Sequence, residues 1–327
     1  MKPGVAQEHL ALGPGAEFDR IRELARTLGE RARGLGDDCA LLSDLTGTLA
    51  LSIDVSVERV HFRLDWITAA EAGWRAAATA LSDLAAEGAE AVGLLSAITV
   101  PEGATETDLV ALAGGVGEAA ASVGAMVLGG DLSRGPVWSV AVTVIGRAER
   151  PVTRAGARAG DAVWVTGTLG GARAALEAWR RGEQPESAVR AAYAHPEPRI
   201  AAGRWLAAHG ARAMLDVSDG LAADAGHLAA ASGVRIRLRL ETVPVAASTV
   251  AEARRLNVPV QQFAAEGGDD YELLVVFPPD FGDADARAFE SATGIALTRV
   301  GAIERGGGVR AELLGRALEL RGYDHFR

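Results

Sequence analysis

The stretch Ala213-Met214-Leu215-Asp216-Val217-Ser218-Asp219-Gly220-Leu221 decides the fold class, because it joins an apolar strand to a helix through an acidic turn. Residues Ala213 to Val217 are apolar apart from Asp216, which is typical of a buried strand. The helical pattern that follows covers Leu221 to Ala231. A strand that leads directly into a helix predicts an α/β protein.

The same mixture of strands and helices extends along the whole chain. A turn-rich, charged stretch at Arg150 to Gly156 interrupts it, and a length of 327 residues suits two domains of about 150 residues each. We therefore predict domains at 1–148 and 149–327. Besides the opening stretch, strands are predicted at Thr48 to Val57, Gly93 to Val100, Ala125 to Leu128, Val137 to Gly146, Ala162 to Thr166, Val234 to Leu240 and Tyr271 to Phe277, and helices at Thr68 to Glu87 and Thr105 to Ser122.

Composition excludes several classes of function. The net charge of −10 disfavours nucleic-acid binding. Lys2 is the only lysine, so neither a Walker A loop nor the catalytic lysine of a protein kinase can exist. Uncharged apolar runs such as Ala91 to Pro101 are about half the length of a membrane span, and the N-terminus lacks the pattern of a signal peptide. With Cys39 as the single cysteine, these features predict a cytoplasmic protein without a membrane partner.

Acidic residues recur beside glycine, serine or the end of a strand. Any one patch alone is an ordinary turn or helix cap. Together, in a chain with one lysine, they favour carboxylate ligands for Mg²⁺ ions that hold phosphate oxygens. The six patches are Gly36-Asp37-Asp38, Ser52-Ile53-Asp54, Leu81-Ser82-Asp83, Gly129-Gly130-Asp131, Asp216 to Gly220, and Gly267-Gly268-Asp269-Asp270.

Local geometry sharpens three of these patches. In the strand around Asp54, alternation puts Ser52 and Asp54 on one face and Leu49, Leu51 and Ile53 on the other, which we expect to face the core. Asp83 stands near the C-terminus of an apolar helix, where its charge opposes the helix dipole and a cation would compensate. Asp131 follows two glycines that permit close approach of the backbone to a ligand.

Taken in order, these patches resemble the thiamine-monophosphate kinase family of the aminoimidazole-ribotide-synthetase-like superfamily. The resemblance covers nearly the whole chain. Beyond the acidic patches it includes Gly15-Ala16-Glu17-Phe18, Cys39-Ala40, Glu58, Val60-His61-Phe62, Leu84-Ala85-Ala86, Thr153-Arg154-Ala155-Gly156-Ala157, Leu221, Tyr271-Glu272-Leu273 and the terminal Gly322-Tyr323-Asp324-His325-Phe326.

The resemblance implies a mixed α/β protein with two domains of the PurM-like fold. The N-terminal domain would be the dimerising one, so that strands of two copies build a shared barrel in a homodimer, with the active site at a cleft. The implied reaction is direct transfer of the γ-phosphoryl group of ATP to thiamine monophosphate, assisted by several Mg²⁺ ions, with no residue acting as acid or base.

The resemblance also implies the site residues. The ATP ligands would be Gly130, Asp131, Arg154 and Ser218, and the thiamine phosphate would contact His61, Asp269 and Tyr323. The magnesium ligands would be Asp38, Ser52, Ile53 through its backbone carbonyl, Asp54, Asp83, Asp131, Asp216 and Asp219.

Three positions depart from the family pattern: Ile53 replaces Ser or Thr, Leu132 replaces Thr, and Asp269 replaces Glu.

Two alternative functions remain open, namely another ATP-dependent enzyme of the superfamily, such as an aminoimidazole ribotide synthetase, or a non-catalytic protein that binds magnesium and nucleotide. Structural roles also remain open for His61 as a packed core residue, for Arg154 as an ion-pair partner, and for Tyr323 as a packing anchor.

Overall fold

The structure is a computed structural model that describes residues 23–24, 26–31 and 46–320. The predictions for Asp38, Cys39 and Tyr323 lie outside these residues. The described chain divides into two compact units, one with residues 46–84 and 89–149 and the other with residues 85–88 and 150–320. A short 3-10 turn, Gly29–Arg31, precedes the first sheet.

The described part of the first unit contains a four-stranded sheet. Its strands are β1 (Thr48–Val57), β2 (Glu90–Pro101), β3 (Met126–Gly135) and β4 (Ser139–Ala148), in the order β1-β4-β2-β3. Strand β4 is antiparallel to both β1 and β2, whereas β2 and β3 are parallel. The predicted bounds of β1 are confirmed, but β3 was predicted to end at Leu128 and continues to Gly135.

Two helices, α1 (Ala69–Ala86) and α2 (Glu106–Ser122), pack on one side of this sheet. A capping box begins α2, since Thr105 Oγ1 accepts the N–H of Asp108 and the Asp108 carboxylate accepts the N–H of Thr105. The helices approach closely at Gly73, where an added Cβ would lie 1.8 Å from the backbone oxygen of Leu112. A larger residue at Gly73 would therefore push α1 and α2 apart.

The other side of β1 is apolar and is not covered by any described element. On β1, Leu49, Leu51, Ile53 and Val55 are 48, 63, 62 and 48 % exposed. The expectation that Leu49, Leu51 and Ile53 face the core was therefore wrong, although the alternation itself was correct. Ala50, Ser52, Asp54 and Ser56 point toward the helices instead, because the helices cover that side of the strand.

The second unit contains a seven-stranded sheet among its described residues. Its strands are β5 (Ala162–Thr166), β6 (Ala213–Asp216), β7 (Arg235–Arg239), β8 (Leu273–Phe277), β9 (Leu297–Glu304), β10 (Gly308–Leu313) and β11 (Arg316–Leu318), in the order β11-β10-β7-β9-β5-β8-β6. Only the β7–β10 pair is parallel. The bounds predicted for β5 are confirmed, and those for β6 to within one residue.

Helices cover the sheet unevenly. They are α3 (Gly171–Arg180), α4 (Ser187–Ala194), α5 (Ile200–Ala208), α6 (Leu221–Ser232), α7 (Thr249–Arg255), α8 (Val260–Ala265) and α9 (Asp283–Thr293), with a 3-10 turn at Leu240–Thr242. One side of the sheet forms an apolar core with α6, to which Leu215, Leu228 and Leu238 belong. On the other side, Trp164 of β5 meets Phe281 edge to face, and α9 packs against α5 and β9.

None of the helices in the described ranges combines the length and the apolar character that crossing a membrane requires.

Candidate active site

In the first unit the structure brings together Ser52 and Asp54 of β1 with Asp83 of α1. The Ser52 hydroxyl donates a hydrogen bond of 2.5 Å to Asp83 Oδ2. Asp54 points to the same side of β1 as Ser52 and feels the charge of Asp83. Two carboxylates and a hydroxyl thus face one another at the sheet edge, a set of oxygen donors that suits Mg²⁺, which commonly takes one or two carboxylates together with substrate phosphates.

The two carboxylates repel each other. Burial raises the pKa of Asp54 from its ordinary value of 3.8 to about 6, and the negative charge of Asp83 contributes to the rise. Near the C-terminus of α1, the Asp83 carboxylate also opposes the helix dipole. A positive counter-charge would therefore stabilise the pair.

Burial of Asp54, together with its repulsion by Asp83, predicts a pH-dependent stability in the absence of divalent cations. Between pH 3.8 and about 6 the unfolded chain releases the Asp54 proton while the folded chain keeps it, so stability falls as pH rises through this window. The loss is about 3 kcal/mol at most. We expect denaturant unfolding in EDTA to show Asp54→Asn as more stable than wild type at pH 8 and equal to it at pH 3.5. Asp280→Asn, which removes an exposed carboxylate, is the control, and equal pH dependence in all three proteins would contradict the assignment.

Gly130 and Asp131 lie within β3, because this strand continues beyond its predicted end at Leu128. An added Cβ at Gly130 would lie 2.0 Å from the backbone oxygen of Ser96, so the glycine is required by the neighbouring strand β2. Asp131 is exposed on β3, at the opposite edge of the described sheet from β1. Three strand spacings separate these edges, about 14 Å. Within this unit Asp131 therefore does not join the Asp54–Asp83 pair.

His61 lies in the turn after β1 and is partly buried. Its Nδ1 accepts the backbone N–H of Val57 at 3.1 Å, and the backbone N–H of His61 donates to the backbone oxygen of Val57 at 2.8 Å. Because Nδ1 accepts, the neutral ring carries its proton on Nε2. The orientation of the imidazole is thus set by the end of the strand that holds Asp54.

In the second unit, the acidic turn after β6 is tied to the loop that precedes β8. The N–H of Val217 donates to the oxygen of Glu272, the N–H of Tyr271 to the oxygen of Val217, and the N–H of Asp269 to the oxygen of Ser218. An added Cβ at Gly268 would lie 2.5 Å from the oxygen of Ser218, so glycine is needed for this contact. Two patches far apart in sequence therefore form one surface.

A buried carboxylate that the sequence analysis missed lies behind this turn. Asp224, in the first turn of α6, is 2 % exposed, and its Oδ2 accepts the N–H of Asp219 at 3.1 Å. Burial raises its pKa to about 8, and the charges of Asp216 and Asp219 add to the rise. The sequence signal was a carboxylate within an otherwise apolar helix, four residues after Gly220.

The loop before β8 holds two residues with unfavourable backbone angles. Asp269 and Tyr271 have φ values of 66° and 52°. Residues other than glycine adopt this left-handed backbone conformation at a cost in free energy. The Tyr271 hydroxyl donates to Asp269 Oδ1 at 2.9 Å. The loop thus fixes the Asp269 carboxylate through a hydrogen bond that sequence reasoning did not foresee.

Two further residues of this loop, Asp270 and Glu272, anchor it in the unit. Asp270 Oδ1 accepts the N–H of Gly170, while its buried Oδ2 has no hydrogen-bond partner among the described residues. Burial raises the pKa of Asp270 well above its ordinary value. Glu272 is 4 % exposed and receives two hydrogen bonds from the Arg199 guanidinium and one from the Thr166 hydroxyl. The bidentate ion pair between Arg199 and Glu272 holds the loop against the rest of the unit.

The remaining predicted residues of the second unit occupy different places. Asp216 is buried at the end of β6, and Ser218 is partly exposed in the turn after it. Arg154 is exposed, and its guanidinium makes no ion pair with any residue from 46 to 320. The neighbouring Thr153 oxygen accepts the N–H of Met214, which places Arg154 beside β6. In the described ranges, no three His, Cys, Asp or Glu side chains alone form a metal site.

Comparisons with known proteins agree with this architecture. The family model "AIR synthase related protein, N-terminal domain" matches residues 36–148, and "AIR synthase related protein, C-terminal domain" matches residues 158–313. A thiamine-monophosphate kinase of Mycobacterium tuberculosis is 37 % identical over 269 residues, which cover 81 % of each chain.

Two solved structures are similar over nearly the whole chain. The thiamine-monophosphate kinase of Stenotrophomonas maltophilia K279a has a TM-score of 0.81 and 34 % identity, covering 95 % of this chain and all of its own. AaThiL complexed with AMPPCP and TMP has a TM-score of 0.78 and 31 % identity, covering 95 and 97 %. The chain therefore belongs to the thiamine-monophosphate kinase family, within the AIR synthase related proteins.

Proposed function

We propose that this protein is an ATP-dependent kinase that converts thiamine monophosphate into thiamine diphosphate. An oxygen of the substrate phosphate forms a bond to the γ-phosphorus of ATP, the bond from that phosphorus to the bridging oxygen breaks, and ADP leaves. The observation that supports this proposal most directly is the Asp54–Asp83 pair at the sheet edge. The second support is a relative of 37 % identity that is a thiamine-monophosphate kinase. The acceptor phosphate is already anionic at neutral pH, so the reaction needs no strong general base.

The chain's own carboxylates fit magnesium as the cofactor. We assign several magnesium ions, with their ligands drawn from Asp38, Ser52, the Ile53 carbonyl, Asp54, Asp83, Asp131, Asp216 and Asp219. When bound, magnesium neutralises charge on the phosphate oxygens of ATP. The raised pKa values of Asp54 and Asp224 support this assignment, because both arise where negative groups crowd together in a buried place.

Binding of the two substrates falls to other residues. We assign ATP to Gly130, Asp131, Arg154 and Ser218, and thiamine monophosphate to His61, Asp269 and Tyr323. The complex of AaThiL with AMPPCP and TMP supports the choice of ligands. The exposed Arg154 guanidinium is available to a phosphate, and the neutral His61 ring has a fixed orientation from which to contact the substrate.

Tyr271 is a positioning residue for Asp269, and this assignment gives a prediction. Asp269 is one methylene shorter than the glutamate usual in the family, so its orientation matters more. Tyr271→Phe removes the hydrogen bond to Asp269 and should raise KM for thiamine monophosphate about three- to tenfold, while KM for ATP stays unchanged. Tyr193→Phe, which removes a hydroxyl in α4, is the matched control. A parallel rise of both KM values in Tyr271→Phe would remove Asp269 from the substrate site.

We further propose that the protein acts as a homodimer in the cytoplasm, with residues 1–148 and 149–327 as its two domains and without nucleic-acid or membrane partners. The apolar side of the first sheet supports the dimer. Four neighbouring aliphatic side chains of β1 are about half or more exposed there, and a second copy of the same sheet would bury them.

Release of ADP from Mg-ATP tests the proposed function. The rate of ADP release by the purified protein is compared for three kinds of acceptor: thiamine monophosphate, thiamine and aminoimidazole-pathway substrates. Turnover with thiamine monophosphate alone, abolished by EDTA, is the expected result. Turnover with another acceptor would reassign the substrate, and tight binding of Mg-ATP without any turnover would identify a binding protein instead.

A further inference from the structure

The second unit carries a small cavity that none of the proposed phosphoryl-transfer residues within 46–320 lines. Its volume is about 180 Å³, and its lining consists of Arg237, Arg239, Arg299, Gly301 and Ala302. These residues belong to β7 and β9. The arginines of β7 alternate with the buried Ile236 and Leu238, so they lie on the side of the sheet opposite the α6 core.

The floor of the cavity is built from small residues for a structural reason. Gly301 pairs with Leu238, and Ala302 pairs with Arg237 across the β7–β9 ladder. An added Cβ at Gly301 would lie 2.4 Å from the backbone oxygen of Arg237, so only glycine fits there. The sheet therefore leaves an open space between long arginine side chains instead of filling it with apolar groups.

Positive charge exceeds negative charge around this cavity. Strands β7, β9 and β10 carry five arginines against two glutamates, although the whole protein has a net charge of −10. Arg310 Nε lies 2.7 Å from Glu312 Oε1, and Arg237 Nε lies 2.9 Å from Glu304 Oε1. The more distant contact of Arg237 Nη1 with Glu312 is 4.0 Å. Both glutamates are thus engaged with Arg237 and Arg310.

Arg239 and Arg299 have no such partners. Neither guanidinium makes an ion pair or hydrogen bond with a residue of the described ranges. The buried Nε–H of Arg237 also lacks a hydrogen-bond acceptor there, because its N–H does not point at the nearby Glu304 oxygen despite the short distance. Neighbouring like charges and an unsatisfied buried donor both favour an anion in the space between them.

We propose that this cavity binds the phosphate group of a small phosphorylated molecule, at a place separate from the kinase residues. Guanidinium groups match phosphate oxygens with paired, charge-assisted hydrogen bonds. The cavity is smaller than the roughly 300–1,000 Å³ that holds a whole drug-sized ligand. Among the described residues that line it, Ala302 is the one with an apolar side chain. The cavity therefore recognises the charged end of the molecule and leaves the remainder in solvent.

Calorimetric titration with sodium pyrophosphate at low salt tests this site. EDTA is present throughout, so that the acidic kinase residues, without a metal ion, repel the anion. Wild type should bind one pyrophosphate per chain in a saturable manner. The double variant Arg239→Gln/Arg299→Gln should bind at least about tenfold more weakly, because charge-assisted hydrogen bonds are lost. Arg158→Gln/Arg287→Gln removes two exposed arginines of the same unit outside the cavity and should bind like wild type.

Further titrations identify the source of the phosphate. Equal affinity for pyrophosphate and thiamine diphosphate would mean that the head group alone is recognised, whereas tighter binding of thiamine diphosphate would mean that a larger metabolite is the ligand. Equal affinity for citrate would overturn the phosphate assignment. Absence of saturable binding, or unchanged binding by a folded Arg239→Gln/Arg299→Gln variant, would overturn the site itself. Kinase KM values of that variant should equal those of wild type, which separates this proposal from the proposed function.

Discussion

Replacing Asp54 by asparagine should lower kcat of the kinase by about 10²–10³-fold or more while the fold remains intact. Asparagine keeps the size of the side chain but removes the charge that faces Asp83 beneath the sheet edge. Because phosphoryl transfer depends mainly on positioning and charge stabilisation, loss of one magnesium ligand acts on the transition state directly. Initial rates at saturating ATP and thiamine monophosphate, measured over a range of Mg²⁺ concentrations, give kcat.

The control for this substitution is Asp65→Asn in the same unit. Asp65 is an exposed carboxylate that accepts two hydrogen bonds from the Arg63 guanidinium. Loss of its charge should leave kcat near that of wild type. Asp83→Asn should resemble Asp54→Asn, because the two carboxylates face one another. Near-normal turnover of Asp54→Asn at saturating Mg²⁺ would show that Asp54 does not hold a catalytic ion.

The second large effect concerns the apolar side of the first sheet. Leu51→Asp should convert the proposed homodimer into monomers. Leu51 is 63 % exposed in the single chain, and a second copy would bury it together with Leu49, Ile53 and Val55. Losing one buried leucine costs about 2 kcal/mol. A twofold interface contains the substitution twice, so dissociation should become about 10³-fold easier. Sedimentation velocity over a dilution series measures this change.

Leu314→Asp provides the matched control for the dimer. Leu314 is the more exposed of the two leucines, at 79 %, but it lies in a turn of the second unit. Its φ of 51° is a conformation that aspartate adopts more readily than leucine does, so the substitution should not disturb the fold. The homodimer assignment fails if Leu51→Asp sediments like wild type, or if wild type is already monomeric at micromolar concentration.

Asp54→Asn should have opposite consequences for stability and for activity. Asp54→Asn should stabilise the protein without metal above pH 6, since it removes a repelled carboxylate, while it abolishes turnover. A carboxylate that lowers the stability of the metal-free protein but is needed for activity is expected where a bound cation supplies the missing positive charge. Measuring both properties on the same preparation distinguishes a functional carboxylate from a structural one.

Local sequence patterns determined the regular elements of this protein. Alternation in Thr48–Val57 specified a strand, the Thr105 and Asp108 pair specified a helix start, and the acidic patches marked where carboxylates gather. These features depend on residues within a few positions of one another. The family resemblance then supplied fold class and chemistry, and the family models and the relatives confirm the family.

Only the tertiary structure decided which side of each element is covered and which distant side chains meet. Strand periodicity separates Leu51 from Ser52 but cannot say which of them faces the helices, because that depends on where α1 and α2 pack. The hydrogen bond between Ser52 and Asp83 spans 31 positions, and that between Arg199 and Glu272 spans 73. The carboxylate crowding behind Asp224 and the unpaired arginines beside Gly301 likewise arise from contacts between separate strands and helices, which no local pattern encodes.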